Sequence, residues 1–308
     1  MSVCTIMCRL VILVALFAWL SIGRAQQVAD RNFDYPIAAP VYEIGRGALI
    51  LFDEAHNNAS TLRGTYAAFA KLLASDGYSI LPTLDKITPE LLKTTKIYVT
   101  VNAMYATEDW NLPGRSAFSM DEILALSSWV ANGGSLFLVT DHMPCGASVH
   151  ELGKSFGINV LNGFALRKDG QPEVFAKRRK TLLDNEITNA VGNNVDSIMC
   201  WGGTGFIAPS HAHIISTLGE DYNIYFPHDV SQIKRLIADT IPYVSGVGVV
   251  NGAYLKFGRG KIVVFADGAP FSAQLQGIKS EKRGMNHTGA RQNAKLLLNS
   301  IHWLDGKL

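Results

Sequence analysis

The sequence predicts an α/β domain in which a mostly parallel sheet is flanked by helices and interrupted by an irregular insertion. Three observations carry this. Short apolar runs at 48–52, 96–101 and 135–140 have the length and composition of strands buried on both faces. Stretches of helical period separate them. With 48% hydrophobic and 18% charged residues over 308 positions, the chain can bury one large core.

Residues 1–25 follow a different logic. Arg9 supplies a positive start, 10–20 an uninterrupted apolar stretch, and Ser21, Gly23 and Ala25 a small-residue end. That order reads as a secretory signal cleaved after Ala25, because the apolar stretch falls short of the roughly 20 residues a membrane-spanning helix needs. The mature protein is therefore expected in a periplasmic or secreted location, with no stable membrane span. Cys8 precedes the apolar run, which disfavours lipidation. Residues 26–45, with Pro36 and Pro40, read as an extended lead-in to a single domain at 46–308.

The domain opens with a strand at 48–52 ending in Asp53. A helix follows, in which Leu62, Tyr66, Phe69, Leu72 and Leu73 recur at helical spacing before Gly77. Residues 78–81 give a second strand, Leu91 and Leu92 a short helix, and 96–101 a third strand rich in β-branched residues. Ser119 and Glu122 form the capping-box pattern for a helix through Trp129 and Val130, which Gly133 and Gly134 end. Residues 135–140 make the fourth strand. The insertion, about 157–247, holds isolated strand-like runs such as 214–218 and a basic cluster, Lys177 to Lys180, read as a solvated face. Residues 252–257 and 261–265, joined through Gly258, Arg259 and Gly260, predict a hairpin. Leu296, Leu297, Ile301 and Leu304 mark a closing amphipathic helix.

A formal charge of +2, from 28 basic and 26 acidic residues, leaves little surplus for phosphate neutralisation, so a nucleic-acid partner is not expected. Removing the leader takes Cys4 and Cys8 with it. Cys145 and Cys200 remain, as a disulfide or as two buried thiols. No cysteine spacing of metal type is present, and no cofactor is identifiable. Gly202-Gly203-Thr204-Gly205 lacks the strand, helix and lysine of a phosphate loop, and the helicase-like string Asp53-Glu54-Ala55-His56 stands without one. Asn58-Ala59-Ser60 and Asn286-His287-Thr288 have the glycosylation pattern.

The most informative pattern lies at strand ends: Asp53, Glu54 and His56 after the first strand, Asp141 and His142 after the fourth, and Asp267 after the last. Ligands of parallel α/β sheets sit beyond the carboxyl ends of the strands, so these side chains are expected to converge. Asn57, and Asn286 and His287 before the last helix, are candidates for the same mouth. Asp141 or Glu54 as general base with His142 or His56 as proton donor would suit hydrolysis of a small polar or carbohydrate substrate. Asp53, His56, Asp141 and His142 are alternatively ligands for a divalent cation. Trp110, Trp201 and Tyr105 suit sugar stacking, and anchoring in core or loop equally.

The strings LFDEAHNN (51–58), GGSLFLVTDHMP (133–144) and GRGKIVVFAD (258–267), with Asn299 to Trp303, resemble the class I glutamine-amidotransferase-like superfamily. The likeness is to exported proteins near the trehalose-utilisation branch and to the sheet domains of gliding-motility and intraflagellar proteins. It spans about 46–165 and 248–305 and implies a flavodoxin-like fold. Amidotransferases of this class place a nucleophilic Cys directly after the fourth strand and a His after the late strand. Asp141 and Asp267 occupy those positions here, so the glutaminase reaction is not expected. Two functions remain: a hydrolase using the strand-end Asp and His residues, or a non-catalytic ligand-binding or scaffold domain of an envelope complex with a protein partner.

Overall fold

The computed structural model describes residues 27–107, 109–229, 232–233 and 240–308, and the leader expected at 1–25 lies outside them. In chain order the elements are β1 (Gln27–Ala29), β2 (Leu49–Asp53), α1 (Ala67–Ser75), β3 (Ser79–Thr83), α2 (Pro89–Leu92), β4 (Ile97–Val101), α3 (Met120–Ala131), β5 (Ser135–Val139) and α4 (Cys145–Lys154). There follow β6 (Asn159–Val160), β7 (Phe164–Arg167), β8 (Glu173–Ala176), β9 (Ser197–Cys200), β10 (Phe206–Ile207), β11 (His213–Thr217), β12 (Tyr222–Tyr225) and β13 (Tyr243–Ser245). The chain closes with β14 (Val250–Phe257), β15 (Gly260–Phe265), β16 (Ala273–Gln276), β17 (Glu281–Gly284) and α5 (Asn293–Asp305).

The main sheet, nine-stranded among the described residues, runs β3-β2-β4-β5-β15-β14-β10-β6, with β11 also paired to β14. The expectation of a mostly parallel sheet needs correction, because the sheet is mixed. β3, β2, β4, β5 and β15 are parallel, while β14, β10, β6 and β11 pair antiparallel. The cause is local: Gly258 at φ 58 closes a turn too tight for a crossover, so β14 must run against β15. Three strands from the 157–247 stretch, β6, β10 and β11, then extend that antiparallel half. Other residues of the stretch form the β13-β12-β7 and β8-β9 sheets.

Alternation along the parallel strands divides the core into two layers. Phe137, Val139, Val263 and Phe265 face α1 and α5, where Phe69, Leu72, Leu296 and Ile301 are fully or nearly fully buried. Leu136, Leu138, Ile262 and Val264 face α2, α3 and α4 through Leu92, Ile123, Leu126, Val149 and Leu152. The Ser119 hydroxyl accepts from the Glu122 amide and the Glu122 carboxylate accepts from the Ser119 amide, so the capping box at α3 is complete. Such a cap contributes about 1 kcal/mol. Helix α1 begins later than its apolar period, because Thr61 turns the chain: its side-chain oxygen accepts from Gly64 and its carbonyl from Tyr66. Among the described residues no helix is long and apolar enough to cross a membrane.

Cys145 and Cys200 are both free and buried, so the disulfide alternative falls. Cys145 opens α4, yet its thiol is pushed up from the ordinary value by burial and by the Asp141 charge. It is a packed thiol and not an activated one.

Candidate functional site

The chain steps from β2 outward to β3, then returns to place β4 on the other flank of β2, so the winding direction reverses between β2 and β4. Side chains at the carboxyl ends of these strands, and of β5 and β15, sort into two groups.

The first group is closed. His56 is 5% exposed, and its Nδ1 lies 2.8 and 2.9 Å from the two Asp53 carboxylate oxygens. Its Nε2 lies 3.1 Å from Glu122 Oε1, and its ring packs on Phe118 at 4.2 Å between centroids. Thr100 Oγ1 donates to Asp53 Oδ2 at 2.7 Å, and the Ile87 amide donates to Glu122 Oε1 at 3.2 Å. Burial works against charging the imidazole, but the hydrogen bonds and charges of Asp53 and Glu122 together outweigh it and raise its pKa above 6.5. Both ring nitrogens are committed, leaving neither a proton nor a lone pair for a ligand. Glu54 and Asn57 likewise serve the loops. Glu54 Oε1 accepts from the Leu62 amide at 2.8 Å, while Asn57, at φ 46, donates to the carbonyls of Met104 and Tyr105. Asn286 donates to Asp30 at 2.9 Å and to the Gln274 carbonyl at 3.0 Å, holding the segment after β1.

The second group is open. Beyond β4, β5 and β15 lies a cavity of about 150 Å³ whose polar lining includes Asn102, Asp141, His142, Trp201, Gln274 and Arg283, together with Gln27, Ser60 and Thr65. Three buried atoms of its lining residues, Asn102 Oδ1, Gln274 Oε1 and Arg283 Nε, have no hydrogen-bond partner among the described residues. Neighbours fix the amide orientations. Asn102 Nδ2 donates to the Asp141 carboxylate at 3.3 Å, and a carboxylate only accepts, so Oδ1 faces away from it. The Ser272 hydroxyl spends its proton on the Ala269 carbonyl at 2.7 Å, so at 2.7 Å from Gln274 it accepts from Nε2, and Gln274 Oε1 is the orphan. Arg283 directs Nη2 to the Trp201 carbonyl at 2.7 Å and Nη1 to Gln276 Oε1 at 3.1 Å, leaving Nε–H without an acceptor.

The backbone is shaped to present these groups. Asn102 adopts φ 49, a conformation asparagine tolerates better than most residues, and a Cβ on Gly268 would lie 2.7 Å from its amide nitrogen. Asp141 also accepts from its neighbour's amide, His142 N–H, at 2.8 Å and from Gly268 N–H at 3.3 Å. His142 Nδ1 donates to the Met143 carbonyl at 2.7 Å, which leaves the lone pair on Nε2 of the neutral ring. That ring stacks on Phe164 at 4.5 Å. Under the cavity floor Asp267 is 1% exposed; it accepts from Ala269 N–H at 2.8 Å and from Trp201 N–H. Burial, then the Asp141 charge, raises Asp267 to about 6, and burial, then the Asp267 charge, raises Glu173 to about 8. His287 meets the site indirectly, edge-on to Trp201 at 5.7 Å.

The structure therefore brings Asp141 and His142 to one cavity with Asp267 beneath it, and holds Asp53, His56, Glu54, Asn57 and Asn286 in hydrogen bonds elsewhere. Among the described residues no group of three or more His, Cys, Asp and Glu is arranged to hold a metal ion. The four residues named as cation ligands divide between the two groups. Sequence reasoning passed over Asn102, Gln274, Arg283 and Glu173. The strand-end argument reaches Asn102, the residue after β4, whereas Gln274 occupies a polar position of a four-residue alternating strand and Arg283 a four-residue strand without apolar residues, both too short to stand out.

No protein-family profile matches the chain, and no curated protein does. Among solved structures the mmIFT52 N-terminal domain superposes with a TM-score of 0.58 at 18% identity, covering 83% of this chain and 97% of that one. A cytoplasmic protein from Salmonella typhimurium gives a TM-score of 0.47 at 10% identity over 83% of this chain and 98% of its own. A ThuA-like protein from Bacteroides uniformis gives 0.44 at 14% identity over 88% and 94%. At these identities the likeness is one of architecture, and the architecture this chain shares is that of the mmIFT52 N-terminal domain.

Proposed function

We propose that the chain is an exported amidotransferase-like domain, without the nucleophilic Cys of that class, that binds a small polar molecule of the carbohydrate type in the strand-end cavity. One observation carries the reading: three orphaned polar atoms belong to residues lining a single polar cavity. Each such atom costs about 1–3 kcal/mol when left unsatisfied, and a ligand that hydrogen-bonds all three recovers that cost. Trp201 supplies an aromatic wall against which a sugar ring can stack. Export is supported by the charged, apolar and small-residue order of 1–25. Calorimetric titration with a panel of monosaccharides and polyols tests the reading. Binding that is lost in Asn102→Ala supports it, and a panel without a single binder sinks it.

Hydrolysis is a second reading, favoured by the lone pair on His142 Nε2 at the cavity wall. In this reading His142 takes a proton from water and Asp141, 3.9 Å from Nε2, stabilises the imidazolium that forms. Glycoside and ester substrates assayed with His142→Gln and Asp141→Asn separate it from binding alone. Turnover abolished in both variants, with ligand affinity retained, supports hydrolysis; turnover unchanged in either removes that residue from the reaction.

A further inference from the structure

We infer that Glu173 is a proton-operated latch on the β9–β10 link, the segment that carries Trp201 into the lining of the strand-end cavity. With its proton, Glu173 stays against the link and holds it shut; ionised, it moves to water and lets the link open.

Two acids bracket the start of the link. Trp201 N–H donates to Asp267, and the Trp201 carbonyl accepts from Arg283 Nη2 at 2.7 Å. The next amide, that of Gly202, donates to Glu173, which stands on β8 opposite Cys200 of β9. Gly202 is at φ 76, and a Cβ there would lie 3.7 Å from Glu173 Oε1, so the carboxyl sits against the backbone of the link. Past Gly202 the chain is pinned to its surroundings, with the Gly203 carbonyl accepting from Ala165 N–H at 2.9 Å and Thr204 N–H donating to the Ala266 carbonyl at 2.8 Å. Among the described residues β8 pairs with β9 alone, in a two-stranded sheet apart from the main one. Glu173 is half-buried, so it can turn to solvent without breaking the main sheet.

Charge decides which arrangement holds. Glu173 feels Asp267 and, more weakly, Asp141, and the cation opposing them is Arg283. Its other titratable neighbours, Cys200 across the β8–β9 pair and Tyr222 of β12, are kept neutral by burial and by these same acids. Arg167, beside Tyr222, directs its guanidinium to Asp169 and Asp221. One guanidinium therefore meets three carboxyl groups, and Glu173 is the one on an outlying strand. Burial, then the Asp267 charge, raises it from 4.5 to about 8 while it lies against the link. A group raised in this way stabilises the closed link fully below 4.5, and that contribution is lost as pH rises through about 8. Opening moves the aromatic wall of the cavity, so access to the cavity rises over the same window.

Hydrogen exchange on the purified protein tests the latch, read by mass spectrometry on peptides covering 199–204 and divided by the intrinsic exchange rate at each pH. Between pH 6 and pH 8 the protection of these amides in the unaltered protein should fall about tenfold or more, since one pKa unit of linkage is a factor of ten in the opening equilibrium. In Glu173→Gln, which keeps the size and cannot ionise, it should change by less than about threefold. That variant retains Asp267 and Asp141, so the difference between the two proteins isolates Glu173. Protection that stays constant with pH in the unaltered protein overturns the inference. An equal fall in Glu173→Gln also overturns it, because the titrating group would then be another. If Glu173→Gln does not fold, Glu173→Met, of similar length and without charge, takes its place under the same expectations.

Discussion

Replacing His56 with alanine removes the cation from between two buried carboxylates, and the structure sets the size of the effect. Asp53 is 0% exposed and Glu122 5%, and each uses His56 as its charged partner. Deleting one member of a buried ionic group leaves the others uncompensated, at about 3–5 kcal/mol. Against a domain stability of about 5–15 kcal/mol this is a large fraction. The effect has a pH signature. His56 is raised above 6.5 in the folded protein, so its stabilisation is complete below that value and is lost as pH rises through the folded pKa. Urea unfolding followed by circular dichroism at pH 6 and pH 9 is the assay. The gap between the unaltered protein and His56→Ala should be widest at pH 6 and narrower at pH 9. A loss under about 1 kcal/mol at pH 6, or a gap that widens with pH, would refute the picture of a charged histidine tying the loop after β2 to the start of α3.

Three further outcomes are expected. Asp267 carries the opposite linkage to an ordinary carboxylate: raised from 3.8 to about 6, it favours the folded state below 3.8 and loses that contribution as pH rises through about 6. Two pH units at about 1.4 kcal/mol each give a swing of about 3 kcal/mol, so melting temperature against pH should fall less over that window in Asp267→Asn; an unchanged slope would count against it. Cys145 and Cys200 are buried thiols whose pKa values are raised by burial first, so a disulfide-exchange reagent should label neither in the native protein and both after unfolding; rapid native labelling would contradict their placement. A Cβ on Gly203 would come within 2.0 Å of the Ala266 carbonyl, backbone that cannot swing aside, so Gly203→Ala should cost about 1–3 kcal/mol in urea, and an unchanged midpoint would show that the β9–β10 connection yields.

The parallel half of the sheet was legible because each strand is a short apolar run closed by turn residues, and because Ser119 and Glu122 announce α3 by type and spacing. The antiparallel half was less so. β6 and β10 are two residues long and borrow their stability from β14 and from each other, which no local window registers. In the candidate site, strand-end reasoning leads to Asp141 and Asp267 because it depends only on where strands stop. It does not distinguish Asp53, which looks the same in sequence, because the difference lies in Glu122, placed near His56 only by the folding of α3. Glu122 itself was visible as a capping residue through one oxygen; its second oxygen's use was not. Gln274 and Arg283 line the cavity from a hairpin of two four-residue strands, too short for a sequence pattern to single out, so the tertiary arrangement is what reveals them.

The placement of β15 beside β5 bears on when the protein becomes competent during synthesis. Asp141 and Asp267 are separated by more than a hundred residues of chain, and the strands that carry them meet only through the long-range pairing of β5 with β15. A nascent chain that has completed β2 through β5 therefore has half a cavity: Asn102 and Asp141 are present, while the floor and the Gln274–Arg283 wall have yet to be made. Closure of so distant a contact is a slow step, because loop entropy must be overcome before the pairing returns anything. The strand-end cavity is thus among the last features of the molecule to form, complete only when the chain through β17 has found its place.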